Sequence, residues 1–451
     1  MTDWPPLKSS LKRPHYRSLM SAIETAINNG ALKPGERLPT HRELSYQLGL
    51  SVQTVSRAYA RLVEAGQIVG EVGRGSFVRR AEGDDPLPFP SQRVMRGTLD
   101  LALLRPVVGD IHKAAMKTAL RSLARDMPEE FLASFRASTL VSRHTAIMDN
   151  WLSLCGIKNQ DQVIIPTNGN TSAMTVALMS VARSGDLIVT EKMGHHTLPA
   201  LCRSLGLRLA GLEMDEQGII PAALDAACQA DTVKALYIMP NTGVTANFMS
   251  EERRRVLVSV ARRHEISIIE NDGWGPLNMS AVPPLATLAP ERCFYFTSLT
   301  KCLVPGLRVG FLVAPRQIAT LVEERHMVTN WTATPLMLEI AALWIREGTA
   351  LTLLEWQRNA LMARGQIARN VLSDFDIKIA PSCLMAWLPC ADIGSEARLV
   401  EGARNLNIHI APGSTFSIGP LASKPGARIS LGSKSPEELR RGLEILSGLL
   451  S

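Results

Sequence analysis

The sequence predicts two parts of different class: a small basic helical module ending in a β-hairpin, and a larger α/β body on a mostly parallel sheet. Three observations carry this. Residues 1–80 hold twelve Lys and Arg against six Asp and Glu, so this stretch carries nearly all of the net +7 charge of the 451-residue chain. Residues 81–97, AEGDDPLPFPSQRVMRG, set three prolines among clustered polar residues, a linker composition that puts the domain boundary there. From residue 98 to 451, short apolar runs alternate with helical stretches at the spacing of βαβ units.

In the first module, Leu19, Ile23, Ala26 and Ile27 recur at helical spacing after His15 until Asn29-Gly30 stops them. Thr40, with Glu43 three residues on, reads as a capping box opening a second short helix that bears Leu44 and Leu48 and ends at Gly49. Ser51 caps a third helix, whose Val55, Tyr59 and Leu62 face inward while Gln53, Thr54 and Arg57 lie near its exposed start. Residues 67–79, QIVGEVGRGSFVR, predict two short strands around a glycine-rich turn carrying Gly73 and Arg74. The segments GERLPTHREL, LSVQTVSRAYARLVEAG and GRGSFV resemble the GntR-type winged helix-turn-helix over residues 11–79. That resemblance implies a DNA-binding domain over residues 1–80 with its third helix in the major groove. Arg42, Ser51, Gln53, Thr54 and Arg57 would lie on double-stranded DNA, with Gly73 and Arg74 at the wing. The concentrated positive charge is the electrostatic footprint such a module needs.

Composition excludes several other classes. With 46% apolar residues the chain has ample core. Its cysteines, at 155, 202, 228, 293, 302, 383 and 390, are odd in number and scattered without a CxxC pair, which predicts neither a disulfide framework nor a metal site. A reducing cytoplasm fits them. The first residues lack the apolar stretch of a signal peptide, and no run approaches the ~18 apolar residues that span a bilayer.

In the body, QVIIPT, LIVTE, ALYIMP, SIIEND, CFYFTS and VGFLVAP read as strands, and ligands in such sheets gather at the strands' C-terminal ends. After the first strand, Gly169, Asn170 and Thr171 begin a helix whose N-terminal amides suit a phosphate. Residues 298–310, SLTKCLVPGLRVG, place Lys301 three positions after Ser298 and seven before Arg308. A lysine amine condenses with an aldehyde while a hydroxyl and a guanidinium hold a phosphate, the handles that pyridoxal 5'-phosphate (PLP) presents.

Residues 98–451 thereby resemble a fold-type I PLP-dependent aminotransferase. The resemblance implies Lys301 as the residue of the internal aldimine, Ser298 and Arg308 as phosphate ligands, and Gly169, Asn170 and Thr171 as the phosphate cup. His195 stands where the family has an aromatic ring stacked on the pyridine, and Arg428, in Gly426-Ala427-Arg428-Ile429-Ser430, matches the arginine that binds a carboxylate with a planar fork. Taken whole, the chain resembles the MocR-type transcriptional regulators. Membership implies a head-to-tail, domain-swapped homodimer that reports PLP, or an amino-acid or amine effector, to the DNA-binding module.

Two departures bear on catalysis. Aminotransferases present an aspartate to the pyridine nitrogen and a tyrosine three positions later; here the run is Glu270-Asn271-Asp272-Gly273-Trp274. One register puts Asn271 and Trp274 at these positions, and a slip of one residue returns Asp272 to the ring nitrogen. A neutral amide cannot supply the charge that favours a pyridinium, and indole has no phenol. The segment Pro240 to Asn247 is one residue short of the family pattern, so Asn241 either takes over the contact to the phenolic oxygen or that contact is missing. The expectation is cofactor binding with weak or absent turnover. A working aminotransferase with its own DNA-binding module, and a cofactor-free dimerisation scaffold, are the alternatives.

Overall fold

The computed structural model describes residues 5, 11, 14–28, 31–33, 35–64, 67–71, 75–78, 97–127, 137–158, 162–277, 282–419 and 424–450. Contacts divide the chain into two units, Met1–Pro86 and Leu87–Ser451. Gly73, Arg74 and all of the expected linker except Gly97 lie outside the described residues.

In the first unit, α1 (His15–Asn28), α2 (His41–Leu48) and α3 (Val52–Glu64) precede an antiparallel pair, β1 (Ile68–Glu71) and β2 (Gly75–Val78). The helix boundaries have local causes. Glu43 N–H donates to Thr40 Oγ1 at 3.2 Å and Thr40 N–H donates to the Glu43 carboxylate at 2.8 Å, closing the capping box. α2 ends at Gly49, whose φ of 59° is the left-handed turn that glycine adopts without strain. Thr54 N–H donates to Ser51 Oγ at 3.1 Å and starts α3. Leu19, Ile23, Leu44, Leu48, Val55 and Leu62 then share one core, reached from the hairpin by Ile68 and Val78. Tyr59, buried among them, donates its hydroxyl proton to the Pro39 carbonyl at 2.9 Å. Arg42, Ser51, Gln53 and Arg57 stay exposed, because the apolar stripe of each helix faces the other way.

The strands of the second unit are β3 (Leu99–Asp100), β4 (Gln162–Thr167), β5 (Leu187–Glu191), β6 (Arg208–Leu212), β7 (Met214–Asp215), β8 (Gly218–Ile219), β9 (Val233–Ile238) and β10 (Ser267–Asn271). They continue as β11 (Cys293–Ser298), β12 (Gly310–Pro315), β13 (Met385–Pro389), β14 (Ile408–His409), β15 (Ala411–Pro412) and β16 (Gly426–Ser430). Seven of them build one sheet in the order β4-β12-β11-β10-β9-β5-β6. β12 is antiparallel to both β4 and β11, while β11, β10, β9, β5 and β6 pair in parallel.

Parallel strands need crossover helices, and these cover both faces. Leu236, Ile238, Ile268 and Phe311 pack on one side, and Ala235, Tyr237, Ile269 and Leu312 on the other. This is why the strands read as continuous apolar runs. Within this sheet β6 is the strand not among the six runs read from the sequence; it lies at the sheet edge, with Arg208 exposed and its middle half-buried. A smaller antiparallel sheet, β13-β16-β15, has its own core around Ala386, Leu388, Ala427 and Ile429. Among the described residues, no helix is long and apolar enough to cross a membrane.

The topology fixes where ligand groups collect. β4, β5, β9, β10 and β11 end at one rim, and the reversed β12 begins there, so the residue pairs that flank β11 and β12 face the same space.

Candidate functional site

That rim opens on a cavity of about 280 Å³. Asn170 and Thr171 reach it after β4, His195 after β5, Asn271 and Trp274 from the end of β10, and Ser298 and Lys301 from the end of β11. Arg308 enters ahead of β12 and Arg428 from β16.

Lys301 sits in the single turn Leu299–Cys302, and its amine donates to the Leu104 carbonyl at 2.7 Å. Burial, with the charges of Arg428 and Arg308, pushes its pKa down to about 8. A share of the amine is therefore neutral near physiological pH.

Beside it, Gly169 caps the helix Asn170–Val181 at φ 85°, and a Cβ there would lie 3.0 Å from the Arg308 guanidinium. Arg308 has φ 51°, left-handed for a residue with a side chain, and its Nη2 donates to the Asn168 carbonyl at 3.3 Å. Such a backbone costs on the order of 1–3 kcal/mol and persists where the surroundings enforce it. Here it aims a cation at a helix N-terminus that already favours anions.

At the other end, Asn271 Nδ2 donates to the Tyr237 hydroxyl at 2.7 Å, while its Oδ1 is buried without a hydrogen-bond partner. Asn170 Oδ1 and Thr300 Oγ1, on the same wall, are also buried without one. Each such group costs about 1–3 kcal/mol unless something in the cavity satisfies it. Trp274 Nε1 donates to the Thr242 carbonyl at 2.8 Å, which keeps the indole along the wall.

The His195 and His196 rings stack at 4.6 Å with 27° between planes, and Thr197 Oγ1 lies 2.9 Å from His195 Nδ1. Burial, then Lys301 and Arg428, lower the His195 pKa to about 4, so its ring is neutral and flat. Arg428 lies over Phe416 at 4.4 Å and donates to the Ala102 carbonyl at 3.2 Å. Burial lowers its pKa to about 9, which leaves it charged at neutral pH. Among the described residues, the lining holds three cationic side chains, Lys301, Arg308 and Arg428, and no carboxylate. It suits an anionic ligand.

Three candidates stand elsewhere. Asp272 is turned to the far side of the rim, where its carboxylate accepts from the Tyr295 hydroxyl at 2.7 Å and the Gly275 N–H at 3.1 Å. The register that brings Asp272 into the cavity is not the one adopted; Asn271 faces it instead. Asn241 is drawn into the same buried network, because the fully buried Arg254 needs acceptors and takes Asn241 Oδ1, with Glu270 3.9 Å away. Thr242, Gly243 and Val244 form that part of the wall in its place. Gly169 stands behind Arg308 rather than on the lining. Leu104, His196, Thr197 and Phe416 were not foreseen: a main-chain carbonyl has no sequence signature, and the others are common core or loop residues.

Fold and cavity together define a class, an aminotransferase-type body carrying a helix-turn-helix module. Residues 15–78 match the family described as bacterial regulatory proteins, gntR family, and residues 112–446 match aminotransferase class I and II. The chain belongs to the aminotransferase class I and II family and, with its gntR-family domain in front, to the MocR-type regulators.

The uncharacterized HTH-type transcriptional regulator YdeF of Bacillus subtilis is 27% identical across 99% of this chain and 97% of its own length. The HTH-type pyridoxine biosynthesis transcriptional regulator PdxR of Corynebacterium glutamicum is 24% identical across 79% of this chain and 78% of its own. Among solved structures, Pyrococcus horikoshii kynurenine aminotransferase superposes with a TM-score of 0.71 at 20% identity, covering 80% of this chain and 92% of that one. This last likeness is one of fold.

Proposed function

We propose that this chain binds PLP in the cavity and regulates transcription through its N-terminal module, with an amino acid or amine as effector. The observation that carries the reading is the convergence of Lys301, Ser298 and Arg308 with the helix N-terminus at Asn170, across from an unpartnered Asn271 oxygen. Ser298, Arg308 and the first amides of the helix would hold the phosphate. Lys301 would hold the aldehyde, His195 the ring face, Asn271 the ring nitrogen and Arg428 an effector carboxylate. PLP supplies an aldehyde that an amine can condense with and a ring that accepts electron density.

The chain's own groups favour holding over converting. Asn271 brings no negative charge to keep a proton on a ring nitrogen, and Trp274 brings no phenol. In the N-terminal domain, Ser51, Gln53, Thr54 and Arg57 at the exposed start of α3 would meet base edges and Arg42 the backbone, with Gly73 and Arg74 in the wing. A head-to-tail, domain-swapped homodimer in the cytoplasm would set two modules on paired half-sites. Ligand acts there only through different affinities for the two dimer arrangements.

The test is an absorption titration of the purified protein with PLP, followed by candidate amino acids while retention on duplexes selected from a random pool is monitored. A visible band that depends on Lys301 and a ligand-dependent change in retention are expected. A wild-type protein with no such band overturns the reading.

A further inference from the structure

Residues Leu99–Leu104 form a strap that enters the second unit just after the residues joining it to the first, and its far end reaches the cavity. The strap is anchored at its start, where Leu99 and Leu101 are buried in the core shared with Ala386 and Ile429 and Ser433 Oγ donates to the Asp100 carbonyl at 3.0 Å. β3 pairs with β14 over two residues, Leu99 and Leu101 N–H donate to the Asn407 and His409 carbonyls at 2.8 Å, and Ser430 N–H donates to the Leu101 carbonyl at 2.7 Å. Asp100 then bends the chain, its Oδ1 accepting from Ala102 N–H at 3.0 Å and Leu103 N–H at 3.4 Å. Past this bend, the carbonyls of Ala102 and Leu104 both meet cavity cations. Ala102 accepts from Arg428 at 3.2 Å and Leu104 from Lys301 at 2.7 Å.

We propose that this strap, shaped by Asp100, competes with bound ligand for Lys301 and Arg428 and so transmits occupancy of the cavity to the chain leading to the DNA-binding module. The inference rests on the cofactor reading above. PLP, whose aldehyde would take the Lys301 amine, withdraws the donor that the Leu104 carbonyl uses, and an effector carboxylate on Arg428 withdraws the one that Ala102 uses. Without them the far end of the strap, Ala102 to Leu104, loses the two bonds that tie its carbonyls to the cavity and loosens, while Leu99 and Leu101 stay anchored. Asp100 is a positioning residue: it touches no ligand and acts by presenting the two carbonyls. The coupling is reciprocal, so whatever docks the strap weakens ligand binding by the factor that ligand weakens docking.

The experiment compares full-length wild type, Asp100→Ala and Asp100→Asn. PLP affinity is read from the visible band, and hydrogen exchange is followed over residues 97–104 with and without PLP. PLP should speed exchange over the strap in wild type. Asp100→Ala should exchange fast without ligand and bind PLP about two- to tenfold tighter, having lost a competitor. Asp100→Asn, which keeps the accepting oxygen, should behave as wild type. A strap that only supports the pocket gives the opposite sign, weaker PLP binding in Asp100→Ala; that result, or wild-type exchange unaltered by PLP, overturns this inference alone. Absence of a Lys301-dependent band in wild type overturns the cofactor reading and this inference with it.

Discussion

The two ends of the cavity differ in kind. At one end Ser298, Lys301 and Arg308 meet the N-terminus of a helix, a full set of groups for gripping a phosphate-bearing aldehyde. At the other, Asn271 and Trp274 occupy the wall, and the nearby carboxylate of Asp272 is held off by Tyr295 and Gly275. Grip and proton handling are thus separable on this scaffold. In the proposed reading, the chain keeps the first and lacks the second through the residues at the end of a single strand, β10.

Four measurements break or sharpen that contrast. Lys301→Ala should remove the visible PLP band entirely; a band that survives ends the assignment of the gripping end. Arg308→Ala should weaken PLP binding about 10- to 100-fold through loss of charge-assisted bonds to the phosphate, as measured by fluorescence titration. The pH dependence has a definite sign. Because the Lys301 amine carries its proton below about 8 and only the neutral form attacks, capture of PLP in stopped-flow absorbance should slow about tenfold per unit below that value and level off above it. Asn271→Asp should raise single-turnover formation of pyridoxamine phosphate from an amino-acid panel on the order of tenfold. If wild type already converts as fast as that variant, the chain is a working aminotransferase.

Much of the fold was legible in the sequence because its signals are local. The capping box at Thr40 and Glu43 and the stop at Gly49 each act within a few residues, and strands buried on both faces announce themselves as unbroken apolar runs. β6 escaped because an edge strand with an exposed Arg208 lacks such a run. The site was legible where spacing alone carries chemistry, as from Ser298 to Arg308. It was not legible where a partner distant in the chain decides orientation. Whether Asn271 or Asp272 faces the cavity depends on Tyr295, and the placement of Asn241 on Arg254. The strap carbonyls of Ala102 and Leu104 could not be foreseen from side-chain identities.

The reversal of β12 has a genetic consequence. Because β11 and β12 are antiparallel neighbours, Ser298, Lys301 and Arg308 are encoded in one uninterrupted stretch, Cys293 to Pro315, rather than dispersed through the gene. An exchange that keeps this stretch whole carries the three residues together into a related scaffold, and a break between Leu299 and Arg308 parts Ser298 from Arg308.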